Sequence, residues 1–249
     1  MGALWLLGAG KLGGALLARW RLAGFDPVEV DTRRDVPVDG APATLVLGVK
    51  PQVWREAVAP LADRLTGVRV VSLMAGVRTA TLAAALPGAT VIRSMPNTPV
   101  AVGAGMTGLF GTGLTQADRA AAEALFAPTG ATVWVDDEAS FDALGAVSGS
   151  GPAFIFAFVE ALAAAGQAEG LDEALAARLA AATLVGSGAL LGPPGGQRFA
   201  DPATLRAAVT SPKGTTAAGL AKLMPSLGPA LRATVAASIA RSQELAREV

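Results

Sequence analysis

The stretch "LGAGKLGGAL" (7–16) lies between a short apolar run and a helical pattern at the head of the chain. Gly8, Gly10 and Gly13 space out as G-x-G-x-x-G, and the run before them, "ALWLLG" (3–8), reads as a strand buried on both faces. In such a strand–turn–helix unit the first glycine permits the tight turn. The second lets a backbone approach a pyrophosphate, and the third lets helix and strand pack closely. The free N–H groups at the helix start then face phosphate oxygens. Gly8, Ala9, Gly10, Lys11, Leu12 and Gly13 are therefore expected to hold a dinucleotide.

Working outward, further Val- and Leu-rich runs follow at 27–31, 43–48, 68–73, 89–94 and 131–136. Helical stretches at 11–24, 52–65, 79–86 and 115–127 lie between several of them. That alternation predicts an open, doubly wound, mostly parallel sheet of Rossmann-like plan. Only eleven residues, "TRRDVPVDGAP", separate the second and third strands, so that crossover is expected to shrink to a loop. Beyond residue 138 the strand signals stop. Helices are expected at 139–147, 152–169, 172–191, 202–208, 212–223 and 228–247. The chain thus divides into a dinucleotide-binding domain, 1–138, and an all-α domain, 139–249. The run "FIFAFVEALAAA" (154–165) is apolar around its whole circumference and must be covered on all sides. A half-chain this small cannot cover it alone, so a second copy of the protein is expected to do so.

Composition narrows the chemistry. The chain of 249 residues is 52% hydrophobic and 16% charged, with a formal net charge of zero. It has ample material for a core and no electrostatic reason to bind nucleic acid or an anionic membrane. It contains no cysteine, histidine or tyrosine. Disulfides and thiolate metal sites are excluded, the commonest general acid/base is missing, and no metal site is expected. The chemistry must therefore rest on a cofactor, on backbone groups, or on Ser, Thr, Lys, Asp and Glu. The N-terminal apolar run lacks a preceding basic region and reads as a strand, not a signal peptide. No stretch offers about 20 uninterrupted apolar residues. A cytoplasmic location is expected.

Five more motifs carry possible chemistry. Asp31, ending the second strand, would bind the ribose hydroxyls of NAD, whereas Arg33 and Arg34 beside Thr32 would pair with the 2′-phosphate of NADP. Both signals are present, and the arginine pair favours NADP(H), with NAD(H) as the alternative. "LGVKPQ" (47–52) sets Lys50 and Pro51 at a strand's carboxyl end, where ligands sit in open α/β sheets, or forms a plain strand–helix junction. "RSMPNTPVAVGAGMTG" (93–108) is either a stiff wall for a nicotinamide ring or a turn before a further strand. "VSGSGPAFIF" (147–156) is either a place of close backbone approach or a domain hinge with capping serines. In "SPKGTT" (211–216), Ser211 suits an N-cap and Pro212 the first helical position, leaving N–H groups of Lys213 and Gly214 free for an anion.

In order, GAGKLGGA (8–15), GVKPQ (48–52), MPNTPVAVGAGMTGL (95–109), SGSGPAFIFAFVEALAAAG (148–166) and SPKGTT (211–216) resemble the pyrroline-5-carboxylate reductase family. The resemblance implies hydride transfer from NAD(P)H to the C=N carbon of Δ1-pyrroline-5-carboxylate, giving L-proline. It also implies a homodimer interlocked through the C-terminal helices, possibly associating further. By that likeness Gly48, Val49, Lys50 and Pro51, with Ala75 and Gly76, would run along the cofactor. Met95, Pro96 and Asn97 would reach the nicotinamide, and Ser150 would shape the substrate site. Ser211, Gly214, Thr215 and Thr216 would take the substrate carboxylate, the Thr216 hydroxyl also reaching the ring nitrogen. Two departures stand out: Lys213 where the family usually has glycine, and Phe154 where tyrosine is common. The competing readings are a general imine reductase, a β-hydroxyacid dehydrogenase-like enzyme, or a non-catalytic NAD(P) sensor.

Overall fold

The structure is a computed structural model. It describes residues 2–31, 40–193, 196 and 198–247, the side chains of 245 and 246 excepted. Seven strands form one sheet in the order β2-β1-β3-β4-β5-β6-β7. They are β1 (Leu4–Leu7), β2 (Pro27–Val30), β3 (Thr44–Leu47), β4 (Arg69–Ser72), β5 (Thr90–Pro96), β6 (Gly105–Phe110) and β7 (Gly130–Trp134). All pairings are parallel except β5 with β6. The antiparallel β6 comes from the second half of the 93–108 motif, which is thus a turn leading into a strand. The crossover between β2 and β3, with Thr32, Arg33 and Arg34, lies largely outside the described residues.

Period-two alternation sends each strand's side chains to two separate cores. Trp5 and Leu7 of β1 join Leu45 and Leu47 of β3 against α2 (Trp54–Val58), the 3₁₀ turn that continues it to Arg64, and α3 (Thr79–Ala85). Leu4 and Leu6 face the other way, with Val46, toward α1 (Lys11–Leu22) and α4 (Gln116–Phe126). There Trp20 is fully buried, its indole N–H donating to the Leu125 carbonyl at 2.7 Å. Helices therefore cover both faces, and the helix expected over 52–65 is a short α-helix followed by a 3₁₀ turn.

The second half is built from α5 (Ser140–Leu144), α6 (Gly151–Ala168), α7 (Glu173–Leu191), α8 (Pro202–Ala208) and α9 (Thr215–Arg247). Three expectations are corrected here. The glycine-serine run is no break between helices: α5 passes into α6 through a π-turn at Gly145–Gly149, closed by Ser150 N–H on the Gly145 carbonyl at 2.9 Å. The wider turn falls just ahead of Pro152, whose ring would crowd the Ser148 carbonyl in a regular α-turn. The helices expected at 212–223 and 228–247 are one helix, which accommodates Pro225 and Pro229. That helix starts at Thr215, so Ser211 and Pro212 lie in the turn before it, not at its cap and first position.

Packing differs sharply between the halves. Among the described residues α6 has no buried member, and Phe156 is 60% exposed on a helix with hardly a polar side chain. In α7 only Ala176 and Ala180 are buried. Ser140–Ala168 and Glu173–Leu191 are long and apolar enough, by length and composition, to cross a membrane, although polar residues and glycines interrupt both.

Candidate functional site

The glycines of the first motif interlock. β1 runs into Gly8, whose φ of +99° is a backbone that side-chain-bearing residues rarely adopt. A Cβ on Gly13 or on Gly48 would collide with the Gly8 carbonyl oxygen, so α1 and the end of β3 both close on one turn. Gly48 N–H donates to the Leu7 carbonyl at 2.8 Å, fixing the two strand ends side by side. The chain leaves β1 toward β2 on one side and returns to β3 on the other, so this is the sheet's topological switch point. Around Gly10 the space is open: a Cβ there would meet nothing within 4 Å. Gly10 caps α1 without a side chain, no acid lies in the first turn, and the leading N–H groups have no carbonyl to bond. This cradle fits the pyrophosphate of a dinucleotide.

From the cradle a cleft of about 770 Å³ runs toward the helical half. Its sheet side is formed by Lys11, Leu12, Ala75, Met95, Pro96 and Asn97, and its helical side by the π-turn and Ser150. Asn97 is held from both ends. Its Oδ1 accepts Met106 N–H at 2.9 Å, while its Nδ2 donates to Ser148 Oγ at 3.2 Å, joining β5 to the π-turn. Ser150 Oγ lies 3.2 Å from Ser238 Oγ. Opposite, Ser242 Oγ donates to Asp142 Oδ1 at 2.9 Å.

Four polar cleft residues escaped the sequence reading: Asp142 in α5, and Ser238, Arg241 and Ser242 in α9. Spaced i, i+3, i+4, the last three form one polar stripe on an alanine-rich helix, the single sequence signal that could have found them. Lys50 is exposed, and Gly48, Val49, Lys50 and Pro51 lie at the end of β3 without lining the cleft. Gly76 lies on a smaller, polar crevice that also touches Arg93 and Glu138.

Residues Ser211, Gly214, Thr215 and Thr216 do not meet the cleft of their own chain. On α9, Thr216 precedes Ser238 by 22 positions, roughly 33 Å of helix. Their local geometry is nonetheless specialised. Gly214 N–H donates to the Ser211 carbonyl at 3.0 Å, closing a turn with Pro212 and Lys213 at its corners. Lys213 has φ +61°, the single non-glycine with positive φ among the described residues. Proline first and positive φ second is the pattern of a type II turn, whose second corner favours glycine. A Cβ on Gly214 would meet Ser211 Oγ, so a larger residue there would turn that hydroxyl away and crowd the Ser211 carbonyl. The free donors at the start of α9 are therefore those of Thr215 and its successors, because Gly214 N–H is occupied.

Comparison with known proteins agrees with this fold. The pyrroline-5-carboxylate reductase dimerisation family matches residues 138–245. A pyrroline-5-carboxylate reductase of Synechocystis sp. is 39% identical over 207 residues, 82% of this chain and 75% of that protein. The solved structure of the Coxiella burnetii pyrroline-5-carboxylate reductase superposes with TM-score 0.87 at 27% identity, covering 98% of each chain. That of the Plasmodium falciparum pyrroline carboxylate reductase with NADP bound superposes with TM-score 0.83 at 23% identity, again over 98% of each chain, a likeness of fold.

Proposed function

The chain belongs to the pyrroline-5-carboxylate reductase family, and from that premise we propose how its residues carry out the reaction. It is an NAD(P)H-dependent oxidoreductase, reducing the C=N bond of Δ1-pyrroline-5-carboxylate to L-proline. The observation that carries the reading is the interlocked cradle of Gly8, Gly13 and Gly48, opening into a cleft with Asn97 and the π-turn on its walls.

The bound nicotinamide supplies the hydride. Every other task falls to the chain. Gly8 to Gly13 hold the pyrophosphate through backbone N–H groups and an open cradle. Ala75, Met95, Pro96 and Asn97 wall the nicotinamide end, with Gly48, Val49, Lys50, Pro51 and Gly76 flanking the cofactor's path. A protonated cyclic imine is already an electrophile, so positioning supplies most of the acceleration and no strong general acid is needed. That suits a chain without histidine, cysteine or tyrosine. Free N–H groups beginning at Thr215, behind the Ser211–Gly214 turn, bind the carboxylate, and the Thr216 hydroxyl accepts the hydrogen bond of the ring N–H. Ser150 closes the site from the helical side.

About 33 Å of α9 separate Thr216 from the cleft face of its own chain, so one chain does not complete a site. A second copy does: its Ser211–Thr216 turn enters the first copy's cleft while the bare faces of α6 and α7 pack together. Homo-oligomerisation through these helices follows from the dimerisation family that spans them. The reciprocal exchange of turns, any larger assembly, a cytoplasmic location and the domain division near residue 138 belong to this proposal. So does a preference for NADPH, which rests on Arg33 and Arg34 beside Thr32.

Purified protein given pyrroline-5-carboxylate and NADPH or NADH is expected to consume the reduced cofactor, faster with NADPH. Cofactor binding without consumption would point to a sensor. Consumption with unrelated cyclic imines but not with this substrate would point to a general imine reductase.

A further inference from the structure

On the far side of the Ala75–Gly76 loop from the cleft lies a buried ion pair that no cofactor or substrate role accounts for. Glu138 sits in the five-residue link between β7 and α5, where the chain passes from sheet to helices. Its carboxylate reaches back 59 positions to the start of α3. Oε1 accepts Thr79 N–H at 2.8 Å, and Oε2 accepts Thr79 Oγ1–H at 3.0 Å. Arg78, at the N-cap of α3, offers no side-chain cap, so Glu138 caps that helix from a distance. Oε1 also accepts from Arg93 Nη1 at 2.8 Å, and the two side chains are only 5% and 15% exposed. Three positions on, Phe141 lies with its ring against Arg93, the guanidinium 4.6 Å from the ring centre. Phe141 itself is buried edge-on against Phe110 of β6, at 6.2 Å. Glu138 and Phe141, one helical turn apart, thus grip a guanidinium rooted in the middle of the sheet.

Each gripped segment continues directly into a wall of the cleft. Thr79 follows the Ala75–Gly76 loop. Arg93 precedes Met95 and Pro96 on β5. Glu138 precedes Asp142, which bonds to Ser242 in the helical wall of the cleft, and then the π-turn. The pyrophosphate cradle at Gly8–Gly13 belongs to none of these segments. We propose that Glu138 is a positioning residue: with Arg93 and Thr79 it sets the angle at which the helical half stands over the nicotinamide end of the cleft. Loosening this link shifts the Ala75 loop, the end of β5 and the π-turn relative to one another, leaving the pyrophosphate end intact. This inference rests on the reductase reading for its kinetic consequence only.

Two variants separate positioning from bulk stability. Glu138→Gln keeps the shape and a hydrogen bond to Thr79 but removes the charge facing buried Arg93. Thr79→Val removes one hydroxyl bond and leaves no buried charge unpaired, so it folds even if the first does not. A misplacement of about 1 Å at a reacting centre can cost up to about a hundredfold in rate. Glu138→Gln should therefore lower kcat by about tenfold and Thr79→Val by about threefold, while the dissociation constant for NADPH changes less than about twofold. Normal kcat per mole of folded enzyme, with only a lower thermal midpoint, would make the pair merely structural and overturn the proposal. So would a loss of NADPH affinity as large as the loss of kcat. The fluorescence of bound NADPH, which reports the nicotinamide's surroundings, gives a readout independent of turnover. It should move toward that of free cofactor in both variants at unchanged affinity, and an unchanged spectrum would contradict the proposal. If the parent protein binds NADPH but reduces nothing, the reductase reading fails while this optical test still judges Glu138.

Discussion

The two halves of this chain are comparably apolar and behave in opposite ways. In the first, each strand face meets a helix of the same chain: Leu6, Leu16, Trp20, Leu45 and Val46 are inaccessible to solvent. In the second, α6 and α7 present Phe156, Phe158, Leu179 and Val185 to the outside, each at least 47% exposed. A sheet shares its two faces with amphipathic helices and closes on itself. A pair of helices apolar all round cannot, and is finished by another copy. The parts proposed for catalysis divide along the same line. The cradle is whole within one sheet half, whereas the Ser211–Thr216 turn stands away from its own cleft.

Placing charge on the bare helical face should break this asymmetry most severely. Phe156→Asp with Phe158→Asp should raise the dimer dissociation constant by at least about a hundredfold, since each buried phenyl ring contributes roughly 1.5–3 kcal/mol. Light scattering would read the monomer, and reductase activity should fall with the dimer while NADPH binding survives in the sheet half. A monomer of full activity would show that the halves do not depend on a second copy.

Thr216→Ala probes the helical half's chemistry without disturbing assembly. Loss of one hydrogen bond to a charged group, about 1.5 kcal/mol, should lower kcat roughly tenfold at unchanged NADPH affinity. An unaltered rate would leave the hydroxyl idle. A smaller effect is expected at Lys213, where a side chain occupies a left-handed backbone that glycine adopts freely. Lys213→Gly should stabilise the protein by up to about 1 kcal/mol, the conformational strain less the entropy glycine adds to the unfolded chain. A drop in thermal midpoint would mean that the lysine makes a contact outweighing its strain.

The smallest effect belongs to the self-contained half. Hydrogen bonds from Thr115, and then Arg69, hold Asp118 below the usual carboxylate range, against a partial burial that pushes the other way. Its folded pKa is depressed, so its stabilisation is present above the unfolded value near 4 and is lost as pH falls through the folded value. Asp118→Asn should flatten the acid side of the stability profile by less than about 1 kcal/mol and leave it unchanged at neutral pH relative to its own plateau. An acid limb identical to the parent's would contradict that assignment.

The sheet half was legible because its signals are local. Valine- and leucine-rich runs, a glycine triplet between strand and helix, and proline-stiffened strand ends each state their own geometry. Strand β6 was harder, since Gly105 and Gly108 dilute its apolar pattern. The helical half was misread wherever distant partners decide. Pro225 and Pro229 look like helix breakers, yet α9 runs through both. The Ser148–Gly151 run looks like a hinge between two helices, yet the chain passes there through a π-turn at Gly145–Gly149 that brings Ser148 to Asn97, 51 positions earlier. Asp142, Ser238 and Ser242 carry no motif, and only the packing of α5 against α9 makes them neighbours. The oddity at Lys213 was visible in sequence, and its cause, a turn needing positive φ, was not.

Complementation between two disabled chains tests most directly the claim that one site needs two copies. Gly13→Val should cripple the cradle by collision with the Gly8 carbonyl, and Thr216→Ala cripples the turn. In a mixed dimer, the intact cradle of one chain meets the intact turn of the other at one of its two sites. Refolding an equal mixture should then restore about a quarter of the parent's activity, because half the dimers are mixed and each holds one good site. Activity no greater than the sum of the two variants alone would mean that cradle and turn serve the same chain.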